Sequence, residues 1–519
     1  MWSLRLQSVG LSTSTRIITK MGEHPRRRTE QPNFLIIVLD ATRADACSCY
    51  GAAQETTPHL DRLAEEGVLF EQAISPAPWT LPAMMSMLTG LFPNQTDIYQ
   101  TRRLDTHIPT LPALLSDHGY ATFAVTNNSW LSPAFGLIRG FQKLHKLWQL
   151  VQVDDDITMV NVTEDAPDKS LYQAALQRLL RGNPAINALN YLFYRRVQKV
   201  DYGASRTLAP LRKWVDTLDD GRPWFALVHF LEAHLEYKPP LQWLERFARD
   251  RQRALRLLHS DQRRIFWQHN AGVAHLTEED LRAWQDLYLA EVAYQDYYLG
   301  QILKWLDENG HRENTCVIVV ADHGENLGEH GLLNHQYCLY DTLIRVPLVV
   351  SWPSVLPNGT RVLHQVQTLD VFQTVLDMAG IEPPHPYSKT LLAPTGRAHT
   401  FAVYGRPRPP RPSILQKYNI SPEQLQRFER GLTAVRSDNY KLIRSEQDVA
   451  ELYAWRDDPF EENNLAAVHP EVVAELSGIL RAWEHELHVQ GALSVPQDAD
   501  SMQLDPLLAA RLRSLGYLD

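Results

Sequence analysis

Four short apolar runs, each stopping at polar residues, constrain this chain more than any other feature. FLIIVL ends at Asp40, ATFAV at Thr126 and Asn127, WFALVHF shortly before Glu232 and His234, and CVIVVA at Asp322 and His323. The runs are short and apolar on both faces, so they read as strands covered on both sides, the mark of a parallel sheet, with helical stretches between them. The fold class is therefore α/β, a central and mostly parallel sheet between helices. Ligands of such sheets bind outside the carboxyl ends of the strands, where all these polar residues fall.

At 519 residues the chain exceeds a single core, because cores stop growing at roughly 250 to 300 residues. The expected division has three parts. Residues 1–30, basic and Ser/Thr-rich without an apolar signal core, read as a disordered leader, with residues 1–20 upstream of a start at Met21 or, as the alternative, a transit peptide. Residues 31–395 form a catalytic domain with a helical insertion over about 150–300, in which Thr277 with Glu279 and Asp280 starts a helix that Gly310 ends. Residues 396–519 form a small C-terminal α+β subdomain and tail, entered through the linker-like YGRPRPPRPS. There LTAVRSDNYKLIRS and AELYAWRDDPFEENNLA read as short strands around turns.

The net charge is -10 and the arginine runs at 26–28 and 251–256 are local, which gives no footprint for nucleic acid. No run of about 18 apolar residues exists, so no membrane-spanning helix is expected. Four cysteines without a CxxC pair make neither a disulfide framework nor a zinc ribbon. Together with the missing signal peptide this reads as a cytoplasmic protein, of an oligomeric state that the sequence leaves open.

Several residues could carry chemistry. Asp40 at a strand end could ligate a metal, cap a helix or pair with Arg43. Asp322 and His323, adjacent at the end of a second strand and followed by glycine, add a carboxylate and an imidazole suited to a divalent ion. In APWTLPAMMSMLTG, Thr80 stands before Pro82 at the head of an apolar helix. A threonine there could cap the helix, or could be a nucleophile whose pKa a divalent ion lowers. The helix start also favours a phosphate or sulfate.

FLIIVLDATRAD, TTPHLDRLAEEGVLFEQA, APWTLPAMMSMLTGLFP, VVADHGENLGEHGLLNHQYCLYDTLIRVPLVV and AELYAWRDDPFEENNLA, in that order, resemble the sulfatase family of the alkaline phosphatase superfamily. The resemblance runs from about residue 32 to the C-terminus and is weakest over 150–220 and near 406. It implies the alkaline-phosphatase-like fold, a metal held by Asp40, Thr80, Asp322 and His323, and Thr80 as the catalytic nucleophile. His234 and His335 resemble the family's substrate-binding histidine and lysine, and are read as the acids for the leaving group. Asn127 and Asn128 stand where sulfatases carry Lys-x-His and could contact substrate or form a turn. Arg43 could face the substrate anion or pair with Asp45.

Two departures from the family pattern shape the expected chemistry. Ala41 follows Asp40 where sulfatases usually have a second aspartate. Thr80-Leu81-Pro82-Ala83-Met84 replaces the C-x-P-S-R pattern whose cysteine or serine becomes formylglycine, an aldehyde that threonine cannot form. A threonine nucleophile is similar to that of the superfamily's phosphodiesterases and phosphotransferases. The expectation is thus a metal-dependent hydrolase (Mn, Zn or Ca) acting on small anionic phosphodiesters, phosphomonoesters or phosphonate esters through a phosphothreonine intermediate. The alternatives are formylglycine-independent sulfate ester hydrolysis, phosphotransfer, or an inactive binding protein. One metal site is expected; a second, poorer one could draw on His229, Glu232, His234, His330 and His335.

Overall fold

The computed structural model describes residues 31–153, 183–197, 201–218, 221–407, 410 and 412–490. The leader, the tail beyond 490 and parts of the insertion and of the Pro-rich segment lie outside the described residues.

The strands are β1 (Asn33–Leu39), β2 (Val68–Ile74), β3 (Ala121–Thr126), β4 (Lys143–Lys146), β5 (Trp224–Phe230), β6 (Thr315–Val320), β7 (Asn326–Leu327), β8 (Leu333–Asn334), β9 (Arg345–Val346), β10 (Leu348–Ser351) and β11 (Thr360–Gln367). Nine of them form one sheet in the order β11-β2-β10-β6-β1-β5-β3-β4, with β9 beside β2. The four apolar runs are β1, β3, β5 and β6, and they are mutually parallel neighbours. Every residue of these four strands is buried, as a sheet covered on both faces requires. Strand β10 runs antiparallel to both β6 and β2.

Two helices matter for the site. Helix Thr80–Thr89 is buried at all ten positions, so it has no solvent face to pattern. Its end is set by Gly90, at φ 70°, where a β-carbon would stand 2.6 Å from Phe372 Cδ1. Gly90→Ala is expected to cost about 1–3 kcal/mol through left-handed strain and this overlap, read as a lower urea midpoint. Helix Glu278–Glu308 starts at the Thr277 cap marked by the sequence, where the Thr277 hydroxyl accepts the Asp280 N–H at 3.2 Å. Such a cap contributes about 1 kcal/mol. This helix braces the turn after β1: Tyr288 Oη donates to Ala41 O at 2.8 Å and accepts the Arg43 N–H at 2.9 Å, and Gln295 Nε2 donates to Thr42 Oγ1 at 2.6 Å.

A second sheet is an antiparallel meander of β12 (Thr400–Tyr404), β13 (Leu432–Arg436), β14 (Lys441–Ser445) and β15 (Ala450–Tyr453). Helix Pro470–Gln490 lays Leu476, Leu480 and Trp483 against Val435, Leu442 and Leu452 of this sheet. Trp483 also stacks on Phe401 at 4.3 Å and meets Phe92 of the larger body edge-on at 5.0 Å. A buried ion cluster ties the two parts together. Lys441 Nζ lies 2.7 Å from Asp341 Oδ1 and 2.8 Å from Glu461 Oε1, and Arg436 lies 3.2 Å from Asp341 Oδ2.

Candidate active site

The carboxyl ends of β1, β5 and β6 converge on one buried point. Asp40 follows β1, and its N–H is fixed by Phe230 O of β5 at 3.1 Å. Asp322 and His323 follow β6. Asp322 Oδ1 accepts the N–H of His323 at 2.9 Å and of Ala41 at 3.3 Å, and its other oxygen is buried without a donor. Ser75, at the end of β2, donates its hydroxyl to Asp322 O at 2.6 Å and so anchors the segment leading to Thr80.

Thr80 is the first residue of its helix, with Trp79 as the capping position, and is fully buried. Its hydroxyl meets His323 Nε2 at 3.2 Å. Because His323 Nδ1 lies 2.8 Å from the Gly324 carbonyl, which can only accept, Nδ1 carries the hydrogen, and the neutral form of the ring presents its lone pair at Nε2. The same Nε2 is 3.5 Å from Asp40 Oδ1 and 3.6 Å from Asp322 Oδ2.

The residues present fit a divalent ion. Asp40 Oδ1 and Asp322 Oδ2 are buried oxygens with no hydrogen-bond donor, a costly state for a carboxylate unless a cation offsets it. Burial, together with Asp322, Glu325 and Glu232, raises the Asp40 carboxyl well above its usual range, against the lowering effect of Asn128. A cation would reverse that balance. Donors about 2.1 Å from one ion in a tetrahedral array stand roughly 3.4 Å apart, close to the 3.5 and 3.6 Å spacings here.

His229 stands with the two aspartates. Its ligand atoms and those of Asp40 and Asp322 all lie within 4.8 Å of one another. From the sequence it counted only toward a second site; the parallel register, Val38 opposite His229, brings it beside Asp40 instead. The signal was a single histidine near the carboxyl end of an otherwise apolar strand. His330 lies away from this group, with Nε2 on Phe460 O at 2.9 Å and its ring stacked on Tyr340.

His234 and His335 line one side of the site, with ring centroids 4.7 Å apart, and the His335 ring is 4.4 Å from His323. Burial pushes His234 down to about 3, and burial with neighbouring His323 pushes His335 well below the usual histidine range. Both rings are therefore neutral at pH 7. The acid role drawn from an ordinary histidine pKa thus requires an arriving anion to offset burial. His335 Nδ1 meets Glu325 Oε2 at 3.1 Å, an orienting carboxylate not identified from the sequence.

Three expected substrate contacts are engaged elsewhere. Arg43 pairs with Asp45 and Glu329, each at 2.7 Å, and donates to Glu325 O at 3.2 Å, which is its pairing alternative. Asn128 Nδ2 donates to Asp40 Oδ2 at 2.8 Å while its Oδ1 accepts the Trp130 N–H at 3.0 Å, so it forms a turn and orients a carboxylate. Asn127 donates its amide to Tyr202 O. In each case a nearby acceptor engages the donor.

The Sulfatase family model matches residues 32–381, and the model for the C-terminal part of N-sulphoglucosamine sulphohydrolase matches residues 328–486. The chain belongs to the sulfatase family. Among curated sulfatases, the Delta 4,5-hexuronate-2-O-sulfatase of Bacteroides thetaiotaomicron is 25% identical over 460 residues, spanning 84% of this chain and 85% of that protein. The choline-sulfatase of Rhizobium meliloti is 25% identical over 459 residues, spanning 84% and 83%. In fold, the chain is similar to the phosphonate monoester hydrolase of Agrobacterium radiobacter, with a TM-score of 0.60 at 21% identity over 89% of this chain and 96% of that one. The sulfatase assignment makes the chain a hydrolase of sulfate or phosphate esters with an alkaline-phosphatase-like fold, in a family that is generally metal-dependent. Among the described residues no helix is long and apolar enough to cross a membrane.

Proposed function

We propose that this sulfatase-family hydrolase cleaves phosphodiesters, phosphomonoesters or phosphonate esters of small molecules through attack by Thr80 and a phosphothreonine intermediate. The observation that supports it is the Thr80 hydroxyl, buried at the head of a helix and turned to His323 Nε2 beside two donor-less carboxylate oxygens. A divalent ion held by Asp40, Asp322 and His323 would lower the hydroxyl's pKa and offset charge on the ester oxygens. The Thr80 hydroxyl gives up its proton to solvent, and Oγ1 forms a bond to phosphorus as the bond to the leaving-group oxygen breaks in line. The first intrahelical hydrogen bond runs from Ala83 N to Trp79 O, so the N–H dipoles before it point out of the helix toward the transferred group's oxygens.

His234 suits the leaving group. Its Nδ1 is 2.5 Å from Leu235 O and so carries a hydrogen, which makes Nε2 the atom that gains and gives a proton once the substrate's charge raises its pKa. His335, held by Glu325, stands next to it. Water then attacks the phosphothreonine, breaking the bond between Oγ1 and phosphorus and returning a proton to Thr80. The four thiols are all free, which accords with a cytoplasmic protein, and we include that location in the proposal.

A second reading is sulfate ester hydrolysis, favoured by curated relatives named as sulfatases. Turnover of matched p-nitrophenyl phosphate, phosphodiester, phenylphosphonate and sulfate substrates separates the two. Chelation is expected to abolish activity toward the phosphorus esters and to lower the melting temperature, with both restored by divalent metal. Dominant sulfate ester cleavage would give the second reading the site.

A further inference from the structure

We infer that His229 is a ligand of the metal ion, and that it makes this centre select zinc over calcium. The inference rests on the metal-dependent reading above but is independent of whether phosphorus or sulfur esters are cleaved.

His229 is fully buried near the carboxyl end of β5, between β1 and β3, opposite Val38 and Thr126. A buried imidazole normally finds a hydrogen-bond partner for each ring nitrogen. His229 Nε2 has none, and it lies 3.6 Å from Asp40 Oδ2, too far for a hydrogen bond. The carboxylates, moreover, are half used. Asp40 Oδ2 accepts the Asn128 amide, and Asp322 Oδ1 accepts two backbone N–H groups. Each aspartate therefore offers one unengaged oxygen to the ion, Asp40 Oδ1 and Asp322 Oδ2.

The resulting donor set is two imidazole nitrogens, from His229 and His323, two carboxylate oxygens and the Thr80 hydroxyl. Calcium takes about six to eight oxygens and commonly uses bidentate carboxylates, which these aspartates are not arranged to give. Zinc accepts mixed nitrogen and oxygen ligands in low coordination number. The imidazole contributed by β5 moves the centre from the first ion toward the second.

The test uses chelator-stripped, full-length protein and equilibrium dialysis against zinc or calcium separately, for wild type, His229→Ala, His229→Gln and Asp322→Asn. Wild type is expected to bind zinc far more tightly than calcium. Both His229 variants are expected to lose about 100-fold or more in zinc affinity, the upper end of what loss of an outer-shell partner costs, with calcium binding unchanged. Zinc X-ray absorption on the wild-type protein needs no variant and should count two imidazoles. One imidazole, zinc binding by both His229 variants equal to wild type, or a wild-type preference for calcium would each overturn the inference. If Asp322→Asn abolishes binding while the His229 variants do not, only this inference fails. If Asp322→Asn also binds like wild type, the metal-dependent reading fails with it.

Discussion

Thr80→Ala is expected to reduce kcat for the preferred phosphorus ester by on the order of 10⁴-fold or more, the scale seen when a covalent nucleophile is removed. The change deletes one buried methyl and one hydroxyl, a packing loss of about 1 kcal/mol, so the protein should remain folded with an unchanged near-UV spectrum. Thr80→Ser keeps a hydroxyl at the head of the same helix and should retain measurable turnover. Quenching wild type during turnover and digesting it should yield a peptide containing Thr80 that carries one phosphoryl group. Full activity in Thr80→Ala would mean that another group or a water molecule attacks, and the threonine would then be a packing residue of its helix.

Lys441→Met is expected to destabilise the protein by about 3–5 kcal/mol, the cost of leaving a buried charge without its partner. Lys441 is completely buried and its ammonium serves both Asp341 and Glu461. Burial would raise Asp341, but Arg436 and Lys441 beside it outweigh burial and hold it well below the usual range, so it stays ionised. Burial pushes Glu461 up to about 7 even with the lysine present. Methionine fills a similar volume, which separates loss of charge from loss of packing. Because the cluster joins β14 to the segment at Asp341, the loss should appear as early unfolding of the C-terminal sheet, seen by hydrogen exchange in residues 432–453. A urea midpoint equal to wild type would show that solvent reaches the pair and that the cluster contributes little.

What lay in the chain itself was the part governed by short-range pattern. Runs such as FLIIVL and CVIVVA read as strands covered on both faces, because apolar residues at every position leave no side for water, and they are such strands. Thr277 announced its helix because a hydroxyl satisfies N–H groups only a few residues away. The motif order from Asp40 through Thr80 to Asp322 and His323 was likewise written in the sequence, with the family resemblance that it carries.

Tertiary structure decided what depends on long-range neighbours. The register of β5 against β1 gave His229 a place beside Asp40, although the two are far apart in the chain. Arg43, Asn127 and Asn128 were open between substrate and protein contacts until folding set Glu329, Tyr202 and Asp40 beside them. The charge states followed the same rule. A histidine's type sets its ordinary pKa, but the segments packed around His234 and His335, some remote in sequence, remove the water that would stabilise their charged forms. The sequence determined which groups could do chemistry; the packing of distant segments determined their protonation and which of them face one another.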